Sequence, residues 1–95
     1  EKINGTIFLS SLESAEGLIL PKEINGDLDL RSLKLAKGLI LPEKINGDLF
    51  LNNLESAEEL ILPKKIAGGL YFRKLKLTEI NRLKKEYSNL MIIIS

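Results

Sequence analysis

Ninety-five residues with 44% hydrophobic and 28% charged side chains describe one folded domain rather than a disordered chain. The formal net charge is only +1, and the absence of cysteine excludes disulfides and thiolate metal sites. The longest apolar run, Leu90 to Ile94, falls far short of the roughly 20 residues of a membrane-spanning helix, so no membrane span is expected, and composition leaves the compartment open.

The first residues, Glu1-Lys2-Ile3, match Glu43-Lys44-Ile45, which stands directly after Leu39-Ile40-Leu41-Pro42. The chain therefore reads as starting inside a repeat of a longer protein. An uncovered first repeat would offer open strand edges, so self-association through the N-terminal end is expected unless another segment covers it.

From Ile3 the sequence repeats every 21 residues. Ile3, Ile24, Ile45 and Ile66 open four units, Gly5, Gly26, Gly47 and Gly68 follow two places later, and Pro21, Pro42 and Pro63 close the first three. The units are 3–23, 24–44, 45–65 and 66–95. A period in this range predicts stacked repeats, because one unit cannot bury its apolar face until the next covers it.

Within the second unit, Gly26-Asp27-Leu28-Asp29-Leu30-Arg31 alternates polar and apolar. The pattern predicts a strand with Leu28 and Leu30 inward and Asp27, Asp29 and Arg31 outward. Leu33, Ala36 and Leu39 recur every third residue, a spacing suited to a tight corner. Leu39-Ile40-Leu41 reads as a second short strand ended by Pro42, which lacks a backbone donor. Asn25-Gly26 supplies another corner. Asn-Gly is also a hairpin signal, but an antiparallel meander would need Lys22-Glu23-Ile24 to act as a strand, and the constant unit length favours parallel stacking.

The fourth unit departs from this template. The six-residue step to the second strand grows to fifteen, and Ile80, Leu83 and Tyr87 in the insert have helical spacing. This predicts a helix over Thr78 to Tyr87, capped by Thr78 and covering the end of the stack, with Leu90 to Ile94 returning as the last strand of the second sheet. The whole chain is thus expected to be a mainly β, parallel β-solenoid of about four coils, each with two short strands.

Stacking also makes a demand on charge, since equivalent residues of neighbouring units lie about 4.8 Å apart in a sheet and facing like charges destabilise it. Glu13, Lys34, Glu55 and Lys76 alternate in sign, as do Glu16, Lys37 and Glu58, and Lys22, Glu43 and Lys64. These rows read as register control. Asp27 beside Asp48 breaks the alternation.

Leu30, Leu33, Ala36, Leu39, Leu41 and Pro42 give the spacing LxxLxxAxxLxLP, which resembles the FxxCxxLxxIxIP register of BspA-type leucine-rich repeats over three full units and part of the fourth. No regular asparagine stands where the LxxLxLxxNxL pattern would place its ladder. The resemblance implies a leucine-rich-repeat-like, right-handed parallel solenoid of a bacterial or related protein, serving in adhesion or protein binding. It also implies that the strand bearing Ile40 lines the concave contact surface.

Two outward rows are candidate partner-binding surfaces. Phe8, Asp29, Phe50 and Tyr71, flanked by Arg31 and Arg73, combine aromatics with guanidinium groups on one sheet. Ile19, Ile40 and Ile61 form an apolar stripe between inward leucines. Against these stand plain structural roles: aromatic pairs supporting a sheet, and isoleucines packed beneath the helix, held in a crystal or homomeric contact, or partly buried by a turn of the coil.

Charge is also polarised. Residues 1–63 hold six basic and eleven acidic groups, residues 64–95 eight basic and two acidic. Lys64, Lys65, Arg73, Lys74, Lys76, Arg82, Lys84 and Lys85 offer a nucleic-acid backbone a partner, but the overall charge is near neutral and no nucleic-acid motif is present. The same polarity suits head-to-tail association.

An enzyme is not expected. There is no histidine, no cysteine and no phosphate-binding glycine loop, and the carboxylates lie in solvated rows. No cofactor is implied, and Asp27, Asp29 and Asp48 form at most an acidic patch without calcium-loop spacing. The sequence therefore points to a non-enzymatic module for protein interaction or adhesion, with a structural spacer inside a larger protein as the alternative.

Overall fold

The computed structural model describes residues 2–94, so that Glu1 lies outside the described residues. In chain order the elements are β1 (Lys2–Asn4), β2 (Ile7–Phe8), β3 (Glu23–Asn25), β4 (Leu28–Asp29), β5 (Lys44–Ile45), β6 (Leu49–Phe50), β7 (Lys65–Ile66), β8 (Gly69–Phe72), α1 (Leu77–Glu86) and β9 (Met91–Ile94). The strands form two parallel sheets, one ordered β1-β3-β5-β7 and the other β2-β4-β6-β8-β9.

Equivalent residues of successive units are paired. Ile3 stands beside Ile24 and Ile24 beside Ile45, while Ile7, Leu28, Leu49, Leu70 and Ile92 line up across the larger sheet. The alternation read from the sequence explains this register, since a slip by one residue would turn Leu28, Leu49 and Leu70 away from the core. These three, with Leu30, Leu51 and Phe72, are fully buried. Ile24, Ile45 and Ile66 fill the core from the smaller sheet, and Leu33, Leu54, Ala36 and Ala57 fill it from the corners. Pairing at this period is that of parallel crossovers, and among the described residues the ladders are parallel throughout.

The second strand of each unit lies elsewhere than expected. Leu39-Ile40-Leu41 forms no strand and pairs with no neighbour, and the smaller sheet is built from residues just after each proline, such as Glu23–Asn25. The Leu39 amide is committed to the Ala36 carbonyl in a turn at 2.9 Å and Pro42 has no N–H, so neither end of the segment offers a ladder donor. The same turn ties Leu18 to Ala15 and Leu60 to Ala57, both at 3.1 Å.

Glycine at the corner between the two strands of a unit is set by close approach. A Cβ on Gly47 would lie 2.6 Å from the carbonyl carbon and oxygen of Gly26 in the unit before, and closer still to the Asp27 carboxylate. Gly5, at that corner of the first unit, has positive φ (111°), and a second corner carries it at Gly17 (77°), Gly38 (78°) and, in the third unit, Glu59 (64°). Glu59 alone of these is not glycine, so it occupies a conformation that costs a side-chain-bearing residue about 1 kcal/mol.

The acidic pair Asp27 and Asp48 now has an account. Thr6 Oγ1 accepts the Asp27 amide at 3.3 Å, Asp27 Oδ1 accepts the Asp48 amide at 2.7 Å, and Asp48 Oδ1 accepts the Gly69 amide at 2.7 Å. Each carboxylate thus satisfies a backbone donor of the following unit, which outweighs like-charge proximity at a half-buried site. An asparagine ladder runs alongside: Asn25 Nδ2 donates to Asn4 Oδ1 at 2.8 Å, and Asn46 Nδ2 to Asn25 Oδ1. Its rungs sit at the end of the smaller sheet's strands, away from the asparagine position of the better-known repeat pattern.

The charge rows expected to control register do not close within a stack. Among the described residues, the ion pairs between units are Lys2 to Glu23 at 4.0 Å and Lys44 to the same carboxylate at 3.9 Å.

The helix is present as expected, one residue earlier at each end. Its N-cap is Lys76 in extended conformation without a side-chain cap, so Thr78 is not the cap but lies inside the first turn. Ile80 and Leu83 are buried and Tyr87 half-buried beneath it. Glu79 Oε2 accepts the Ala57 amide at 2.8 Å, Arg82 reaches the Ala57 carbonyl at 3.5 Å, and Asn89 Nδ2 donates to the Lys64 carbonyl at 3.1 Å. The helix therefore lies over the third unit's corner, in the place of the turn that earlier units use. After it, β9 pairs with β8, so the last strand extends the larger sheet rather than the segments expected at Leu39 to Leu41.

Candidate functional site: two outward rows

The row that carries Phe8 runs across the larger sheet. Phe8 pairs with Asp29, Asp29 with Phe50, Phe50 with Tyr71, and Tyr71 with Ile93. Pairing brings the residues together but does not leave them equally free. Phe8 is 74% exposed at the sheet edge, whereas Phe50 and Tyr71 are half-buried and stacked, with ring centroids 4.9 Å apart and planes 17° from parallel. Arg31 lays its guanidinium 5.5 Å over the Phe50 ring, so the cation and both aromatics already have partners within the chain. Arg73 is exposed.

Asp29 departs from the expected outward position: it is only 4% exposed. Its Oδ1 accepts the Arg31 amide at 3.1 Å and Arg31 Nε at 2.9 Å, a local arrangement that tucks the carboxylate against the sheet while the guanidinium remains in solvent. This hydrogen bond, and then the attraction of the two charges, raises the Arg31 pKa above its ordinary value. Asp29 ends β4, an interior strand, and its short side chain reaches the amide two residues on. Asp29 is thus a support for Arg31 rather than a contact residue.

The second row is the more open. Ile19, Ile40 and Ile61 are 91%, 77% and 75% exposed, while the leucines on either side of each turn toward the core. The helix does not cover them. Two apolar grooves run between the three segments. Ile19, Ile40, Pro21 and Pro42 line the first, and Ile40, Ile61, Pro42 and Pro63 the second, with Lys22, Glu43 and Lys64 on their rims. The turn that opens each segment and the proline that closes it project the isoleucine outward, which is why the stripe falls on one line at 21-residue spacing.

The basic residues of the C-terminal third are spread over three places: Lys64 and Lys65 at β7 of the smaller sheet, Arg73 and Lys74 beyond the end of β8, and Lys76, Arg82, Lys84 and Lys85 at α1. Arg82 is partly committed, to Glu86 at 3.2 Å and to the Ala57 carbonyl, whereas Lys84 and Lys85 sit in the last helical turn, where they favour the helix dipole. The three aspartates expected as an acidic patch are engaged separately with Arg31 and with backbone amides. Among the described residues, no group of three or more acidic side chains is placed to hold a metal ion. No described helix is long and apolar enough to cross a membrane.

Comparison of the chain with protein-family models, with curated proteins and with solved structures gives no match. Sequence reasoning missed the asparagine ladder, the carboxylate-to-amide ladder and the positive-φ corner. For the last a signal existed in Gly17 and Gly38, 21 residues apart, interrupted only by Glu59.

Proposed function

We propose that this chain is a non-enzymatic protein-interaction module, built as a leucine-rich-repeat-like parallel solenoid, whose contact face is the stripe of Ile19, Ile40 and Ile61. The observation that carries the reading is exposure: three β-branched apolar residues stand in solvent in one line, on segments whose flanking leucines pack on the core, with grooves between them. Isolated exposed apolar residues are ordinary, whereas an aligned row rimmed by charge is the composition of a contact patch. The BspA-like spacing supports the same assignment, as in that pattern this segment lines the surface used for partners and for adhesion.

The stripe takes precedence over the aromatic row, because Phe50, Tyr71 and Arg31 satisfy one another and Asp29 is buried. Phe8 keeps that row as a second reading, being exposed at its open end. A peptide-display selection on the immobilised chain tests both. Selected peptides are expected to lose at least about tenfold in affinity on Ile40→Asp and to tolerate Phe8→Ala. Loss on Phe8→Ala alone would move the contact to the aromatic row, and a selection that yields no binding peptide would favour a spacer.

A further inference from the structure

We infer that the isoleucine stripe is also a self-recognition surface, on which a second copy of this chain docks side by side with its units aligned in the same direction. The inference rests on the contact-face reading above and deepens it by naming an occupant. What selects the occupant is charge. Each isoleucine stands between exposed charges of opposite sign, three residues before and three after: Lys22, Glu43 and Lys64 on the rims of the isoleucine grooves, and Glu16, Lys37 and Glu58 at the opposite end of each segment, where they line the neighbouring grooves. The order inverts from each unit to the next. Among the described residues none of these six side chains has an oppositely charged partner within 4.0 Å in its own chain, in contrast to Lys2, Glu23 and Lys44.

Two symmetric ways of placing a copy on this face can be compared, because a two-fold contact matches the patch to itself. With the two-fold axis along the stacking direction, each segment meets its own counterpart running the opposite way. Lys22 then faces Glu16 of the second copy, Glu43 faces Lys37 and Lys64 faces Glu58, and symmetry doubles these to six opposite-sign pairs around an isoleucine seam. With the axis along the segments, the first unit faces the third. Lys22 then meets Lys64, Glu43 meets Glu43, Glu16 meets Glu58 and Lys37 meets Lys37, so every pair is of like sign. The alternating pattern therefore admits one arrangement and opposes the other, which is how charged rims set specificity.

The face is small. Three segments about 4.8 Å apart and about 20 Å long, with side-chain overhang, offer roughly 400 Å² per copy, about 800 Å² in total, below stable specific interfaces and in the range of weak, transient ones. The dimer is accordingly reversible, with a dissociation constant of roughly 10–1000 µM, and weakens as salt screens the rim.

Charge exchange tests the arrangement. Lys37→Glu makes residue 37 repel Glu43 of the other copy, and Glu43→Lys makes residue 43 repel Lys37. Either variant alone should dissociate at least about tenfold more readily by sedimentation equilibrium, with an unchanged far-UV spectrum. An equimolar mixture of the two restores both pairs across a heterodimer and should regain the wild-type affinity. A wild type that stays monomeric at millimolar concentration, single variants that dimerise like wild type, or a mixture that remains monomeric would each overturn the inference. The display peptides keep the two readings apart. If they bind the monomeric Lys37→Glu variant through Ile40 while the mixing experiment fails, the dimer falls and the contact face stands. If Ile40→Asp changes neither peptide binding nor self-association, both fall.

Discussion

Gly47→Ala places the cost of unit stacking on a single methyl group. The added Cβ would lie 2.6 Å from both the carbonyl carbon and the carbonyl oxygen of Gly26. Ordinary van der Waals contact begins near 3.4 Å, so the shortfall is about 0.8 Å against backbone, which cannot rotate away as a side-chain tip can. The nearby Asp27 carboxylate cannot yield either, since it holds the Asp48 amide at 2.7 Å. Relief requires the second and third units to part locally, stretching ladder bonds such as Leu28 N to Asp48 O, now 2.9 Å, beyond useful length. Two or three backbone bonds at about 1 kcal/mol each, plus residual strain, give a loss of about 2–4 kcal/mol. A domain of this size has roughly 5–14 kcal/mol of stability in total, so the urea midpoint should fall severely and Tm by about 10–25 °C. Gly17→Ala is the internal control. A Cβ there meets nothing within 4 Å, and only φ of 77° opposes it, for about 1 kcal/mol. Urea unfolding followed by far-UV circular dichroism measures both, and a Gly47→Ala loss under about 0.5 kcal/mol would refute the close stacking of these corners.

Asp48→Ala should cost about 1–3 kcal/mol because it strands the buried Gly69 amide, whereas Asp48→Asn, which keeps the acceptor, should stay within about 0.5 kcal/mol, as urea midpoints will show. Glu59→Gly should stabilise by about 0.5–1 kcal/mol by removing a side chain from φ of 64°, read as a rise in Tm. Leu83→Ala, at the fully buried centre of the helix's inner face, should cost about 2–4 kcal/mol in the same assay.

The architecture was legible because it depends on properties that repeat. The 21-residue period, the inward Leu28, Leu49 and Leu70, and the interruption that becomes α1 are all patterns of apolar spacing, and packing enforces such patterns strictly. The second strand was misplaced because Leu39-Ile40-Leu41 has the composition of a strand but not its hydrogen bonds. A turn takes the Leu39 amide at one end of the segment and Pro42 has none at the other, which composition does not reveal. The last strand joins the larger sheet, beside β8, because no ladder exists at Leu39 to Leu41 for it to extend. In the candidate sites, the exposure of Ile19, Ile40 and Ile61 followed from alternation, but the burial of Asp29 did not. Alternation assigns a residue to a face, and a short carboxylate on that face can still fold back onto its own backbone and a nearby arginine. The paired aspartates looked like a conflict only while their charge was considered without the amides they accept.

Parallel pairing of each unit with the next underlies every proposal made for this chain, and scalar couplings across hydrogen bonds measure it bond by bond. A long-range HNCO spectrum of the labelled protein should correlate the Ile7 amide with the Asp27 carbonyl, Leu28 with Asp48, Leu30 with Phe50, and Leu51 with Tyr71. Correlations linking these amides to carbonyls of non-equivalent positions, as an antiparallel meander would produce, would contradict the stacked register and remove the isoleucine stripe with it.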